Sequence, residues 1–171
     1  MPIDENEHLK DSFKARLDLL NKEIDLVDST IARIDGITQA VKNWAIVVWA
    51  GSISIFLGSV ELRPYLILTA LLPFMFWISD TQWRRLQKRS VFRQRKIAEF
   101  VNSSAFDEAF KEHSFKAFQI LDPVGVTHRG SKEYRAARSF ARVFFFKEVA
   151  WFYGGLMLLS LLLGAFFLLF Q

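Results

Sequence analysis

The chain has no cysteine among its 171 residues, and this absence excludes several kinds of site. Without thiols there is no disulfide framework, thiol nucleophile, thiolate zinc site or iron–sulfur cluster. Histidine is scarce too, since only His8, His113 and His128 occur. Gly-rich phosphate loops, nucleophile elbows and paired histidines at helical spacing are also missing. The sequence therefore predicts a protein that is not an enzyme and that uses no metal or cofactor.

Charge is missing from three long stretches: Asn43 to Val60, Pro64 to Ser79 and Val149 to Gln171, of 18, 16 and 23 residues. A helix crosses the hydrocarbon core of a bilayer with roughly 17–25 mainly apolar residues. A buried hairpin in a soluble core is the alternative for the first two stretches. We favour an all-α integral membrane protein with three transmembrane helices, a helical cytoplasmic domain and a heptad-patterned N-terminal helix.

Basic residues are distributed unevenly and predict the orientation. Residues 80–148 carry 15 of the 22 Lys and Arg, residues 1–42 carry six, and the hairpin turn holds only Arg63. The positive-inside rule then places the N-terminus in the cytoplasm and Gln171 outside. We expect a multi-pass membrane protein.

These patterns divide the chain into four regions. Residues 1–42 form an acidic, amphipathic cytoplasmic helix of coiled-coil type, and residues 43–79 a transmembrane hairpin. Residues 80–147 form a basic helical cytoplasmic region, and residues 148–171 the third transmembrane helix.

The N-terminal helix has a heptad seam of apolar residues. Its central members are Leu17, Leu20, Ile24, Val27, Ile31 and Ile34. The seam could pack against another copy, against another protein, or inside a helical bundle. One candidate partner is the basic helix after the second span, because residues 1–42 hold nine acidic side chains against six basic ones.

That basic helix predicts a charged surface. Its members are Arg84, Arg85, Lys88, Arg89, Arg93, Arg95 and Lys96. A positive-inside anchor is the simplest interpretation, and binding of anionic lipid headgroups is a second. Nucleic acid is the least favoured partner, since no fold-level nucleic-acid motif accompanies the run.

Small residues recur at four-residue spacing in two spans and predict close helix packing or homo-oligomerisation. They are Ala50, Ser54 and Gly58 in the first span, and Ala150, Gly154, Ser160 and Gly164 in the third.

Three features mark the region before the third span. Ser104 and Asp107 match a capping box, and His128 with Arg129 in a turn-rich loop could hold an anion, although a solvated loop pair is the simpler interpretation. Ser131 is expected to cap a helix that runs without interruption into the third span.

Residues 31–102 resemble a family of small bacterial membrane proteins. The resemblance rests on Ile34, on the run from Val41 to Ile46, on the run from Leu72 to Asp80, and on Trp83 before a basic helix with Phe92 and Arg93. The layout is also similar to SLATT-type effectors, which accompany nucleotide-signalling and antiphage defence systems. The resemblance implies an effector located in the bacterial inner membrane that acts on the membrane, and the third span departs from the two-span SLATT pattern.

Two functions remain open at this point. The first is an oligomeric, channel-like effector that perturbs membrane integrity or potential in response to a cytoplasmic protein or a small signalling ligand. The second is a non-conducting anchor that recruits a cytoplasmic partner through its N-terminal helix.

Overall fold

The computed structural model describes residues 5–116, 118–123 and 125–169. Helices cover 87% of the structure, and no strand occurs among the described residues. The elements are α1 (Glu5–Gly58), a 3-10 helix (Val60–Ala70), α2 (Leu71–Val101), α3 (Ser104–Glu112), a 3-10 turn (Val126–His128), α4 (Lys132–Ala137), α5 (Phe140–Phe144) and α6 (Lys147–Leu169). The predicted all-α class is confirmed.

Three helical segments are long and apolar enough to cross a membrane, and they lie within Glu7–Gly58, Val60–Val101 and Lys132–Leu169. Only 6%, 22% and 17% of their most apolar windows are buried within the chain. Trp151 is 81% exposed and Met75 is 65% exposed. Apolar surface on this scale is unfavourable in water, so these helices suit a lipid environment or partner subunits.

The chain divides into two compact units whose boundaries differ from the four regions expected from the sequence. The polar unit comprises described residues 5–33 and 87–137, and the apolar unit comprises described residues 34–86 and 138–169. Both α1 and α2 contribute to both units, because each helix continues past its apolar segment into a charged one.

Phenylalanine dominates the core of the polar unit. Phe13 of α1 stacks on Phe115 with 5.0 Å between ring centroids, and Phe100 of α2 stacks on Phe118 at 4.3 Å. Leu20, Ile97, Phe100 and Ala109 belong to the same buried cluster as Phe13 and Phe115. The predicted pairing of the acidic N-terminal helix with the basic helix is therefore present.

The core of the apolar unit is centred on Trp77. This residue clusters with Ala45, Val149 and Tyr153, and its indole stacks on Phe144 at a centroid distance of 4.1 Å. Because a buried indole N–H needs an acceptor, its Nε1 donates a hydrogen bond to the Phe144 carbonyl at 2.9 Å.

The turn between the first two apolar stretches leads directly into a helix that is not α-helical. The helix Val60–Ala70 is a 3-10 helix with Pro64 inside it. Proline has no N–H to donate to a helical carbonyl, so it is a poor residue for the interior of an α-helix.

The expected continuous helix from residue 131 into the third span is wrong. Helix is interrupted at residues 138–139 and 145–146. Side chains of α2 take carbonyls at both interruptions: Arg85 Nε donates to Arg138 O at 3.1 Å and Trp77 Nε1 to Phe144 O. Because these two carbonyls accept hydrogen bonds from side chains of α2, they favour three separate helices, α4, α5 and α6, over one continuous helix.

Two helix starts were predicted in this region, and both helices are present, but only one has the predicted cap. Ser131 Oγ accepts a hydrogen bond from Tyr134 N at 3.1 Å and caps α4 as expected. The capping box of Ser104 and Asp107 is not formed, because the N-cap of α3 is Ser103. The Ser103 hydroxyl donates to the Phe100 carbonyl at 2.7 Å instead.

Candidate functional site

The small-residue row of the first span is open in this chain. Ala50, Ser54 and Gly58 are all exposed. A Cβ added at Gly58 would meet no atom within 4 Å. Ser54 is nevertheless satisfied, because its hydroxyl donates to the Ala50 carbonyl at 2.9 Å. The row can therefore enter an apolar environment without an unpaired hydroxyl.

The small residues of α6 are used in two different ways. Ala150 and Gly154 line an open groove of about 370 Å³, and a Cβ at Gly154 would meet nothing within 4 Å. Ser160 and Gly164 are buried inside the unit. A Cβ at Gly164 would lie 2.7 Å from Ile67 N, so this glycine lets the 3-10 helix approach α6 closely.

A hydrogen bond joins α1 to α6 beside this close approach. Trp49 Nε1 donates to Ser160 Oγ at 2.7 Å, and Ser160 Oγ donates in turn to the Leu156 carbonyl at 3.1 Å. Of the two small-residue pairs predicted in α6, the second is buried, whereas Ala150 of the first packs beside the Trp77 cluster and Gly154 borders the groove.

The heptad seam of α1 is largely covered by the chain itself. Leu20, Val27 and Ile34 are buried, whereas Leu17, Ile24 and Ile31 are half-buried. In the polar unit, Leu20 packs with Ile97 and Phe100 of α2. The seam is thus part of a helical bundle within one chain and is not a free coiled-coil surface.

The predicted basic surface contains one residue that does not belong to it. Arg93 is 1% exposed, and its Nε lies 2.8 Å from Glu23 Oε1 while its Nη2 lies 3.1 Å from Glu23 Oε2. The reason is complementarity between the two helices, because a guanidinium binds a carboxylate through two parallel hydrogen bonds.

The other basic residues vary in exposure and in partners. Arg95 is 55% exposed in its side chain and lies 3.6 Å from Glu99, while Lys96 Nζ lies 2.7 Å from Glu99. In the apolar unit, Arg84 pairs with the buried Asp80 at 3.3 Å. Lys88 and Arg89 are half-buried. Carboxylates and carbonyls therefore accept hydrogen bonds from part of the basic run. Arg95 is the most exposed of its described residues.

Glu23 also fixes a long irregular segment, a role that sequence reasoning missed. Its carboxylate accepts hydrogen bonds from Leu121 N and Asp122 N, both at 2.9 Å. Arg93 Nη2 donates to the Gln119 carbonyl at 2.6 Å. No local pattern marks Glu23, because it stands among several acidic residues of α1 and only tertiary contacts distinguish it.

Asp122 also accepts hydrogen bonds from backbone N–H groups, further along the same segment. It is 4% exposed and accepts hydrogen bonds from Val126 N, from Thr127 N at 3.1 Å and from the Thr127 hydroxyl. An Asp before a Pro and a Gly is a typical turn-forming residue, so the sequence did contain a signal here. Two buried carboxylates therefore hold residues 119–122 and 126–127 in place.

Comparison with known proteins finds no matching family model, no matching curated protein and no matching solved structure. No group of three or more His, Cys, Asp or Glu that could hold a metal occurs in the described part of the chain.

Proposed function

We propose that the protein is an oligomeric inner-membrane effector that perturbs membrane integrity or potential when its cytoplasmic helices receive a signal. The observation that carries the proposal is the exposed row of Ala50, Ser54 and Gly58. Without a large hydrophobic driving force between helices in lipid, small residues promote association by letting backbones approach closely.

The contrast between the rows supports association between copies. A Cβ added at Gly164 would meet Ile67 of the same chain, whereas a Cβ added at Gly58 or Gly154 would meet no atom within 4 Å. Serine hydroxyls bonded to their own helix, as in Ser52 and Ser54, also suit a face that meets another helix or a narrow polar path.

Recruitment of a partner through the N-terminal helix has less support. Its seam packs inside the polar unit, so an external partner would find only the margins of the stripe, such as Leu19 and Leu26 at 38% and 50% exposure. A scaffold function would require this bundle to open.

The proposed location and trigger depend on the sequence. An N-terminus in the cytoplasm follows from the Lys and Arg distribution. The inner membrane and a role in antiphage defence follow from the resemblance to small bacterial membrane proteins and SLATT-type effectors. Anionic lipid headgroups would contact the exposed part of the basic run around Arg95.

The proposal is tested by inducing the full chain in bacterial cells and following membrane potential with a voltage-sensitive dye. We expect depolarisation by the original protein and its loss in Gly58→Leu, because the leucine would obstruct close helix approach. Gly36→Leu is the matched control, since Gly36 also has no atom within 4 Å but precedes the predicted span.

Assembly is measured separately on purified protein in nanodiscs by counting subunits through photobleaching steps. Gly58→Leu should shift the population to smaller assemblies. If this variant changes neither subunit number nor depolarisation, the row has no packing role. A wild type that leaves the potential unchanged at good expression, with and without phage infection, would reject the effector function.

A further inference from the structure

The polar unit contains a cavity of about 470 Å³ that neither the fold nor the proposed membrane activity explains. Its volume is in the range of small-molecule sites, which is about 300–1,000 Å³. The wall is formed by α2, the start of α3 and the irregular segment before α4. Among its lining residues are Arg93, Lys96, Glu99, Phe100, Phe118 and His128.

The loop side of this cavity is preorganised. Gln119 and Thr127 line the cavity, and each is held through a buried carboxylate: the Gln119 carbonyl by the Glu23–Arg93 pair, and Thr127 by Asp122. Burying such charges is costly, and replacing a buried ion pair by apolar residues is often neutral or stabilising. The buried charges therefore contribute more to the position of the loop than to stability. Loops held by a rigid scaffold commonly carry binding sites.

Hydrogen-bond donors are prominent on the cavity wall. Lys96, His128 and Arg93 line it together with the acidic residue Glu99. Arg93 is paired with Glu23, and Lys96 Nζ also lies 3.7 Å from Glu133. Lys96 donates a 2.7 Å hydrogen bond to Glu99, and this ammonium holds the pKa of the Glu99 carboxyl below its usual range. An ammonium has three donors, so Lys96 can bind an anion while it keeps Glu99.

Aromatic rings provide the apolar part of the wall. Phe100 and Phe118 stack with an interplanar angle of 8°, and the Arg93 guanidinium lies 4.6 Å from the centroid of Phe118. The His128 ring packs against Phe92 at 5.6 Å, which orients the imidazole. These rings give the cavity an apolar surface for the hydrophobic part of a ligand, next to the donors of Lys96 and His128.

From this arrangement we propose that the cavity binds a small soluble phosphate ester with a flat ring, through Lys96 and His128 at the phosphate and the Phe100–Phe118 pair at the ring. The site concerns binding alone and holds whether or not the spans perturb a membrane.

The test uses the full chain in phosphatidylcholine nanodiscs and para-fluorophenyl phosphate as the probe, with binding followed by fluorine NMR. We expect saturable binding at millimolar concentration. Lys96→Gln and His128→Gln should each weaken it about tenfold, the loss expected for one charge-assisted hydrogen bond. Lys96→Arg keeps the charge and should retain binding.

Lys116→Gln is the matched control. Lys116 also lies 2.7 Å from a nearby carboxylate, that of Glu112, but it is 75% exposed and does not line the cavity. It should leave the affinity unchanged. No saturable binding, or an equal loss in Lys116→Gln and Lys96→Gln, would overturn the proposal.

Two competitors identify the source of the phosphate group. Inorganic phosphate should displace the probe only weakly, because it has no ring. Discs of phosphatidylglycerol should bind the probe as phosphatidylcholine discs do. If phosphatidylglycerol displaces the probe from the original protein, the ligand is a lipid headgroup and the soluble ester is rejected.

Discussion

Different features stand out in the packing of the polar unit and of the apolar unit. The polar unit buries full charges, as in Glu23, Arg93 and Asp122, and uses them to hold a segment without regular structure. In the apolar unit, Gly164 has no side chain, so one helix backbone can approach another closely. One chain thus uses buried charged groups to position a loop in one unit and a glycine to bring two helix backbones together in the other.

The largest expected effect is the loss of the buried ion pair. Arg93→Ala leaves Glu23 charged and buried, and breaking such a pair costs about 3–5 kcal/mol. The free energy of unfolding of the polar unit, followed by circular dichroism in urea, should fall by this amount. Amides of Leu121 and Asp122 should lose hydrogen-exchange protection, because their acceptor is Glu23.

The matched control is Arg95→Ala, two residues further along the same helix. Arg95 pairs with Glu99 at 3.6 Å, but both side chains are more than half exposed, so the loss should be at most about 1 kcal/mol. Equal losses in Arg93→Ala and Arg95→Ala would show that burial does not distinguish the two pairs.

A smaller effect is expected in the apolar unit from Gly164→Ala. The new methyl group would lie 2.7 Å from Ile67 N, a backbone atom that cannot rotate away. Overpacking of this kind costs about 1–3 kcal/mol, which thermal unfolding in detergent should detect. Gly155→Ala, with no atom within 4 Å, should instead be neutral or stabilising by up to about 1 kcal/mol.

The hydrogen bond between Trp49 and Ser160 should contribute less. Side-chain hydrogen bonds between membrane helices average about 0.6 kcal/mol, so Trp49→Phe should cost about that amount beyond its packing loss. A double-mutant cycle with Ser160→Ala isolates the bond. A coupling energy of zero would mean that the two groups do not stabilise the apolar unit together.

The smallest effect concerns Glu99 on the open side of the polar unit. Its pKa is lowered from 4.5 mainly because Lys96 donates a hydrogen bond to it. A lowered folded-state pKa means that the contribution of this pair is present above pH 4.5 and is lost as pH falls through the folded value. An NMR titration should give a midpoint below 4.5 in the original protein and a higher one in Lys96→Gln.

Much of the helical architecture follows from local patterns. The charge-free runs predict the candidate spans, the heptad pattern predicts α1, and Ser131 predicts the start of α4. The interruptions at residues 138–139 and 145–146 could not be read locally, because they depend on Arg85 and Trp77, more than 50 residues away in sequence. Charge type alone also placed Arg93 with the surface residues, since burial depends on a partner 70 positions away.

The sequence by itself determined most of the helical segments and which of them are apolar enough for a bilayer, because both properties depend largely on neighbouring residues along one helix. Only the tertiary structure decided which small residues are already packed, which arginine is buried, and where the loop around Asp122 is held. Those outcomes depend on distant groups meeting: Gly164 with Ile67, and Glu23 with Arg93. Local sequence patterns do not predict these contacts, because their energies arise from packing and desolvation between residues that are distant in sequence.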